Sequence, residues 1–213
     1  MNGEPCVVTI EETIIVAELP TSISSGNYAD FNMTWKAQVP RQIRRSGWMN
    51  KEGIEYSMTQ WYPKLCEYDH EGWHSHPYVG REFHGVWGDY DVSIHLPSGY
   101  FVAGTGQIHG SLEDAVHSGN WHFSASNVID FAWVADPDFI SESIAVDNKL
   151  TMNFVHTPND EYDKPWKEMP RFAVQAMRFF NDFVGRYPYP QYTVAQGGDG
   201  GMEYPMITLV RGN

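Results

Sequence analysis

Short runs of β-branched and aromatic residues, separated by turn residues, fill the first two-thirds of this chain and constrain its fold most strongly. Turn signals such as Pro-Ser-Gly at 97–99, Ser-Gly-Asn at 118–120 and Asp-Pro-Asp at 136–138 stand between the runs. Many short strands with this punctuation favour an antiparallel sandwich or an open, saddle-like sheet, so we predict a mainly β fold. The predicted strands lie within residues 6–19, 28–40, 53–63, 82–97, 100–108, 121–128, 131–136, 142–147 and 149–158.

Two of these runs carry further local signals. Within residues 82–97, Gly85 and Gly88 mark bulge or bend positions, because glycine inside a strand weakens regular pairing. The alternation within residues 28–40 predicts a strand that places on one face Phe31, Met33, Trp35, Ala37 and Val39.

The sequence changes character near residue 160, where the strongest helical pattern of the chain begins. Gly185 and the two prolines that follow, Pro188 and Pro190, are helix-ending residues. Two short strands are predicted after them, at 191–196 and 203–210. We place a boundary near 156–165, with residues 1–158 as one β domain and 159–213 as the start of a second domain. The residues at helical spacing, which predict a core-facing stripe, are Phe172, Ala176, Phe179 or Phe180, and Phe183.

Composition and charge exclude several classes of function. The 213 residues carry a formal net charge of -13, so the chain is a poor candidate for binding nucleic acid. The acidity is typical of a solvated surface, or else attracts cationic groups such as an amino terminus. No apolar run is long enough to span a bilayer, and the N-terminus does not resemble a signal peptide. Cys6 and Cys66 are too few for a disulfide framework and leave a single bridge open.

The segment His70 to His74 matches the zinc-binding pattern H-E-x-x-H in letters. That pattern needs a helix, which brings the two histidines onto one face. Gly72 lies inside the motif and Pro77 follows closely, so the surroundings have no helical periodicity. We interpret the segment as a polar loop between strands, in which His70, His74 and His76 capture metal only adventitiously.

The glycine-rich stretch GGDGGMEYPM, residues 197–206, is the most unusual segment of the chain. A dinucleotide-binding loop would open a helix, whereas the residues after this stretch favour a strand. A P-loop would need a following Gly-Lys-Ser/Thr, and no lysine lies nearby. A hairpin turn explains one or two of the glycines, but not four of them followed directly by Met202 and Glu203.

Three ordered blocks and this stretch resemble the aminopeptidase N-type zinc peptidases, a gluzincin family. GGMEY at 200–204 is similar to that family's exopeptidase signature G-x-M-E-N. The blocks TQWYPK at 59–64, GDYDVSIHLPSGYFVAGTG at 88–106 and NVIDFAWVAD at 127–136 resemble its N-terminal domain. The resemblance implies an antiparallel β domain, then one helix and a short sheet that open a thermolysin-like catalytic domain. It also implies a fragment, inactive alone and free of bound zinc, whose full-length protein would be a zinc-dependent aminopeptidase.

The resemblance assigns roles to a small group of residues. Glu203 matches the carboxylate that holds the free α-amine of a peptide substrate, by a charge-assisted hydrogen bond. Gly200, Gly201 and Met202 match the backbone that pairs with the substrate like an added strand. Gln60 matches a polar residue that the N-terminal domain brings to the amine end of the pocket. No catalytic residue and no metal ligand of the family falls within this chain.

Departures from the family's pattern leave other readings open. Tyr204 replaces the usual Asn, Tyr62 stands where many members carry a second Gln or Glu, and Asp199 adds charge on the loop surface. The alternative function is a non-catalytic β-rich module that binds partners with its sheet. An incomplete β domain would also expose a strand edge, so self-association through that edge is expected. Members of the family occur in several compartments, so the localisation stays open.

Overall fold

The computed structural model describes residues 1–77, 85–160, 163–198 and 200–212, and its fold is mainly β, as predicted. Two helices are described, α1 (Leu112–Ser118) and α2 (Asp163–Phe183). The described strands are β1 (Val7–Glu11), β2 (Ile14–Glu18), β3 (Gly47–Trp48), β4 (Tyr56–Met58), β5 (Tyr68–Asp69), β6 (Gly72–Trp73), β7 (Gly88–His95), β8 (Phe101–Gly104), β9 (Gln107–Ile108), β10 (Asn120–Val128), β11 (Trp133–Asp136), β12 (Ile140–Ala145), β13 (Thr151–His156), β14 (Gln191–Gln196), β15 (Met202–Tyr204) and β16 (Ile207–Val210).

The chain divides into two compact units. One unit combines residues 1–38 with 64–86, and the other combines residues 39–63 with 87–213. The first unit holds two antiparallel hairpins, β1–β2 and β5–β6. Both cysteines belong to it, and neither forms a disulfide.

The predicted strand over residues 28–40 is wrong, because this segment has no regular secondary structure. Its alternating side chains Phe31, Met33 and Trp35 are exposed. A strand forms only where a neighbouring strand takes its backbone hydrogen bonds, and no described strand runs beside this segment. The run at 6–19 does form strands, but it is a hairpin with Glu12 at a positive φ of 54° in its turn.

Three sheets build the second unit. One has the strand order β7-β10-β9, and another has the order β3-β4-β11-β8. The third is a mixed sheet with the order β12-β13-β14-β16-β15, in which α2 connects the parallel strands β13 and β14. A core of buried residues between the sheets includes Val134 from β11 together with Ile207 and Leu209 from β16.

The mixed sheet crosses the boundary that the sequence predicts. Residues Thr151–Val155 pair with Gln191–Ala195, so strands from both sides of position 158 share this sheet. The division into domains at residue 158 stays a prediction. The strand β15 is the last in this sheet, and no described strand pairs with its outer side.

Helix α2 exists as predicted, but the face predicted to be buried is exposed. The side chains of Phe172, Phe179 and Phe183 are 52%, 60% and 74% exposed. A second stripe at helical spacing, starting from Trp166, packs against the mixed sheet instead. Both stripes have helical periodicity, so the sequence pattern alone does not select between them. The residues of α2 that are buried are Trp166, Pro170 and Val174.

No helix in the described ranges combines the length and the apolar character that crossing a membrane requires.

Candidate functional site

The glycine-rich stretch connects β14 to the antiparallel hairpin β15–β16. Its first residues are held by the fold, because the Gly197 N–H donates to the Val210 carbonyl at 3.0 Å. Gly198 and Gly200 have φ angles of 69° and 119°, which only glycine adopts without strain. Asp199 lies outside the described residues, so its predicted role stays a prediction.

The glycines at the two ends of the stretch differ in what surrounds them. A Cβ on Gly197 would lie 2.7 Å from a Val134 side-chain carbon, which is too close, so this glycine is required by packing. Gly201 does not have a positive φ, and the nearest atom to its Cβ would be the Leu209 carbonyl oxygen at 3.7 Å. Ordinary contact at that distance means that the fold accepts a side chain at Gly201.

The hairpin that carries Glu203 has a tightly fixed turn. Pro205 and Met206 occupy its centre, and Met206 has a positive φ of 61°, which is the φ pattern of a type II turn. The Thr105 hydroxyl donates to the Pro205 carbonyl at 2.9 Å, and the Thr193 N–H donates to the Met206 carbonyl at 2.9 Å. These bonds fix the turn, and β15 pairs with β16 in the register Met202–Leu209, Glu203–Thr208 and Tyr204–Ile207.

At the start of β15, backbone N–H and carbonyl groups point outward from the edge of the mixed sheet. Gly201 lies next to the strand, and its carbonyl accepts a hydrogen bond from Arg45 Nη2 at 3.3 Å instead of from β16. Neighbouring residues of an antiparallel strand alternate in direction, so Gly201 and Glu203 present their N–H and carbonyl groups to the same, outer side. Met202 faces inward, where its carbonyl accepts from the Thr208 hydroxyl at 3.2 Å. The free edge therefore offers a short row of backbone donors and acceptors.

The Glu203 side chain is exposed and shares a face of the sheet with Thr208, its cross-strand partner. Burial raises the pKa of the nearby Tyr192, and the negative charge of Glu203 raises it further. Glu203 makes no ion pair with any residue in the described part of the chain. Its carboxylate is therefore accessible to a cationic ligand.

Tyr204 lies on the opposite face of β15 and is buried in the core. Burial raises the pKa of its hydroxyl. The side chains of Thr59 and Gln60 lie beside this hydroxyl, yet it makes no hydrogen bond of ordinary geometry with the described residues. Tyr204 thus connects the strand of Glu203 to the segment that carries Gln60.

Gln60 is held in an unusual backbone conformation by a buried carboxylate. Its φ is 52°, a region that residues other than glycine seldom adopt. Its Nε2 donates to Asp130 Oδ2 at 2.8 Å, and Asp130 is 4% exposed. The Tyr62 hydroxyl lies 3.0 Å from the other oxygen of Asp130 and 2.9 Å from the Tyr90 hydroxyl. Strained backbone held by a polar network is typical of functional sites.

The structure brings some of the predicted site residues together and separates others. Gly200, Gly201, Met202 and Glu203 lie together at the edge of the mixed sheet. Gln60 lies beside Tyr204, whose side chain is on the face of β15 opposite to Glu203, because adjacent residues of a strand face opposite sides.

The segment His70 to His74 is not helical, as predicted, and it forms the hairpin β5–β6 instead of a loop. His74 Nε2 lies 3.0 Å from Asp69 Oδ1, and this hydrogen bond is the main cause that raises the pKa of His74. No group of three or more His, Cys, Asp or Glu side chains among the described residues is arranged to hold a metal ion.

Comparisons with known proteins give a distant likeness. No family model and no curated protein matches the chain. Native yeast LTA4 hydrolase is 14% identical with a TM-score of 0.44, over 60% of this chain and 20% of that chain. Its complex with bestatin is 14% identical with a TM-score of 0.43, over 60% and 19%. A native leukotriene A4 hydrolase from Saccharomyces cerevisiae is 16% identical with a TM-score of 0.42, over 60% and 19%.

The chain thus spans about a fifth of the length of these hydrolases. At such identities and TM-scores the likeness carries no argument about the activity of this chain.

Proposed function

We propose that this chain supplies the substrate-amine edge of a zinc-dependent aminopeptidase of the aminopeptidase N type. In this proposal the chain contains most of an N-terminal β domain and the opening of a thermolysin-like catalytic domain. Zinc, when bound to the full-length protein, would polarise the scissile carbonyl. Its ligands lie outside this chain, which is therefore inactive alone.

The observation that carries the proposal is Gly201. Neither its φ nor its neighbours require glycine, whereas Gly197 is required by packing. Glycine at a position where the fold accepts a side chain is explained by close approach of something outside the chain. A peptide backbone laid along the edge of β15 is such a partner.

The neighbouring groups favour a peptide with a free amino terminus. The outward N–H and carbonyl groups of Gly201 and Glu203 match the donors and acceptors of an extended peptide. The exposed Glu203 carboxylate has no cationic partner among the described side chains and suits an ammonium group. Gly200 and Met202 shape the same edge, and Gln60 serves the amine end from the opposite face of the strand.

The second candidate function is a non-catalytic module that binds a protein partner. The exposed phenylalanines of α2 favour it, because adjacent exposed aromatic side chains mark interaction surfaces. Phe179 stacks on Phe183 with ring centroids 5.6 Å apart, so they form one continuous patch. Self-association through an open strand edge is a separate proposal, which follows from an incomplete β domain.

Peptide titration of the chain and of its Glu203→Gln variant tests the first candidate. We use a tripeptide with a fluorophore at its C-terminus, either with a free amine or acetylated, and measure fluorescence anisotropy. Loss of one charge-assisted hydrogen bond should reduce the preference for the free amine by about tenfold or more. Glu142→Gln is the matched control, because Glu142 is an exposed glutamate on β12, the opposite edge of the same sheet.

An unchanged preference in the Glu203→Gln variant would overturn the proposal. Hydrolysis of an aminoacyl chromogen by the full-length protein and its Glu203→Ala variant is the catalytic counterpart. We expect the variant to lose most of kcat/KM, and full activity in the variant would contradict the role of Glu203.

A further inference from the structure

Asp130 is a buried carboxylate that accepts hydrogen bonds through both of its oxygens. It is 4% exposed, and it accepts from the Phe131 N–H at 2.8 Å through Oδ1. Gln60 Nε2 donates to Oδ2 at 2.8 Å, and the Tyr62 hydroxyl lies 3.0 Å from Oδ1. Burying a carboxylate is costly unless hydrogen bonds compensate for the lost water, and the donors around Asp130 provide them.

The carboxylate determines which way the Gln60 amide points. Asp130 Oδ2 accepts the hydrogen bond from Gln60 Nε2, which as an amide nitrogen only donates. The amide oxygen Oε1 is then directed away from Asp130. No donor in the described part of the chain is hydrogen bonded to this oxygen. Gln60 therefore presents an unused acceptor, on a backbone held at a positive φ of 52°.

We propose that Asp130 is a positioning residue, which fixes Gln60 so that Oε1 accepts a hydrogen bond from the α-ammonium group of a bound peptide. This inference rests on the proposed function and adds a residue to it. An ammonium carries N–H donors in diverging directions. In this proposal Glu203 accepts one of them from its own face of β15, and Gln60, which lies beside Tyr204, accepts another from the side of Tyr204.

The chemistry of the amide predicts what a change at Asp130 does. In an Asp130→Asn variant the new side chain would offer an NH₂ group as well as an oxygen, so Gln60 would be free to turn over. A turned amide presents Nε2 to the ammonium, and two donors repel each other. A Gln60→Glu change in the same chain removes that ambiguity, because a carboxylate accepts from the introduced asparagine and from the ammonium alike.

Anisotropy titration with the free-amine and the acetylated tripeptide tests this inference on the 213-residue chain. We expect Asp130→Asn to lower the preference for the free amine by about tenfold, which one charge-assisted hydrogen bond is worth. The double variant Gln60→Glu/Asp130→Asn should recover the preference to within about threefold of the starting chain. A purely structural role of Asp130 predicts no recovery.

Asp136→Asn is the matched control, because Asp136 is also 4% exposed and accepts two backbone N–H groups. The Asp136→Asn variant should be less stable than the starting chain, but it should keep the preference for the free-amine tripeptide over the acetylated one. An unchanged preference in Asp130→Asn, with a loss in Glu203→Gln, would overturn the role of Asp130 and leave the proposed function intact. An unchanged preference in Glu203→Gln would overturn the proposed function itself.

The side-chain amide signal of Gln60 in NMR spectra of the unmodified chain provides a second test, which does not depend on folding of a variant. The free-amine peptide should shift this signal, and the acetylated peptide should not. Equal shifts with both peptides, or no shift with either, would overturn the inference.

Discussion

The two ends of the glycine-rich stretch use the same amino acid for different purposes. At Gly197 a Cβ would lie 2.7 Å from Val134, so the interior of the molecule has no room for a side chain at this position. At Gly201 the nearest atom to a Cβ would be 3.7 Å away, so the interior has room for a side chain at this position. The fold explains why residue 197 is glycine. It does not explain why residue 201 is glycine, and the ligand that we propose would.

The largest expected effect is on stability, at Gly197. Gly197→Ala should lower the free energy of unfolding by about 1–3 kcal/mol, because the added methyl group overpacks a filled core. Urea unfolding followed by tryptophan fluorescence measures it. Shortening the neighbour in Gly197→Ala/Val134→Ala should make room, so the loss in the double variant should be smaller than the sum of the two single losses. Strict additivity would contradict the packing account.

Gly201→Ala should separate binding from stability. We expect the free energy of unfolding to change by less than about 0.5 kcal/mol. Binding of the free-amine tripeptide should weaken by about tenfold, because a methyl group holds the incoming backbone away from the edge. Gly88→Ala is the matched control, since Gly88 has no positive φ and its Cβ would meet nothing within 4 Å. Undiminished peptide binding in Gly201→Ala would remove the main argument for a ligand at this edge.

A smaller effect is expected at Arg45, whose guanidinium group covers the Gly201 carbonyl. An arriving peptide must displace this contact, and the positive charge also repels an ammonium group. Arg45→Met should therefore tighten binding of the free-amine tripeptide by a few-fold, roughly 1 kcal/mol or less. Arg44→Met, which changes the neighbouring exposed arginine, should leave the affinity unchanged. Weaker binding in Arg45→Met would show that Arg45 assists the peptide.

The smallest effect is expected at Tyr204. Burial raises the pKa of its hydroxyl above the ordinary value of 10.0. The folded chain then keeps the proton at a pH where the unfolded chain loses it, so stability falls as the pH rises above about 10. Tyr204→Phe should reduce this fall and, because the hydroxyl has no ordinary hydrogen bond, change stability at neutral pH by less than about 1 kcal/mol. A steeper alkaline loss in the variant would contradict the burial of this hydroxyl.

Much of the fold can be predicted from local sequence signals, and the predictions that are wrong have physical causes. The runs that became β10, β11 and β14 carry β-branched and aromatic residues and are bounded by turn residues, so their positions were predictable. Residues 28–40 alternate in the same way but gain no partner strand, and pairing is not visible in local sequence. The short helix α1 was missed, although Ser111 caps its N-terminus and Gly119, with a φ of 71°, ends it.

The candidate site likewise contains residues that local sequence can suggest and residues that it cannot. Glu203 and its glycines are contiguous, so a resemblance over a few residues is enough to propose them, and their role stays a prediction. Asp130 and Arg45 were not predicted, because they reach the site through contacts that span 70 and 156 positions of the chain. A single sequence carries no local signal for such contacts, and the structure was needed to find them.

The central claim is that a peptide with a free amine pairs with the outer edge of β15. Amide hydrogen exchange, followed by NMR with and without the free-amine tripeptide, measures this pairing directly. We predict slower exchange at the outward N–H groups of Gly201 and Glu203, with little change along β12 at the opposite edge. Unchanged exchange at both Gly201 and Glu203 in the peptide-saturated chain would contradict the account.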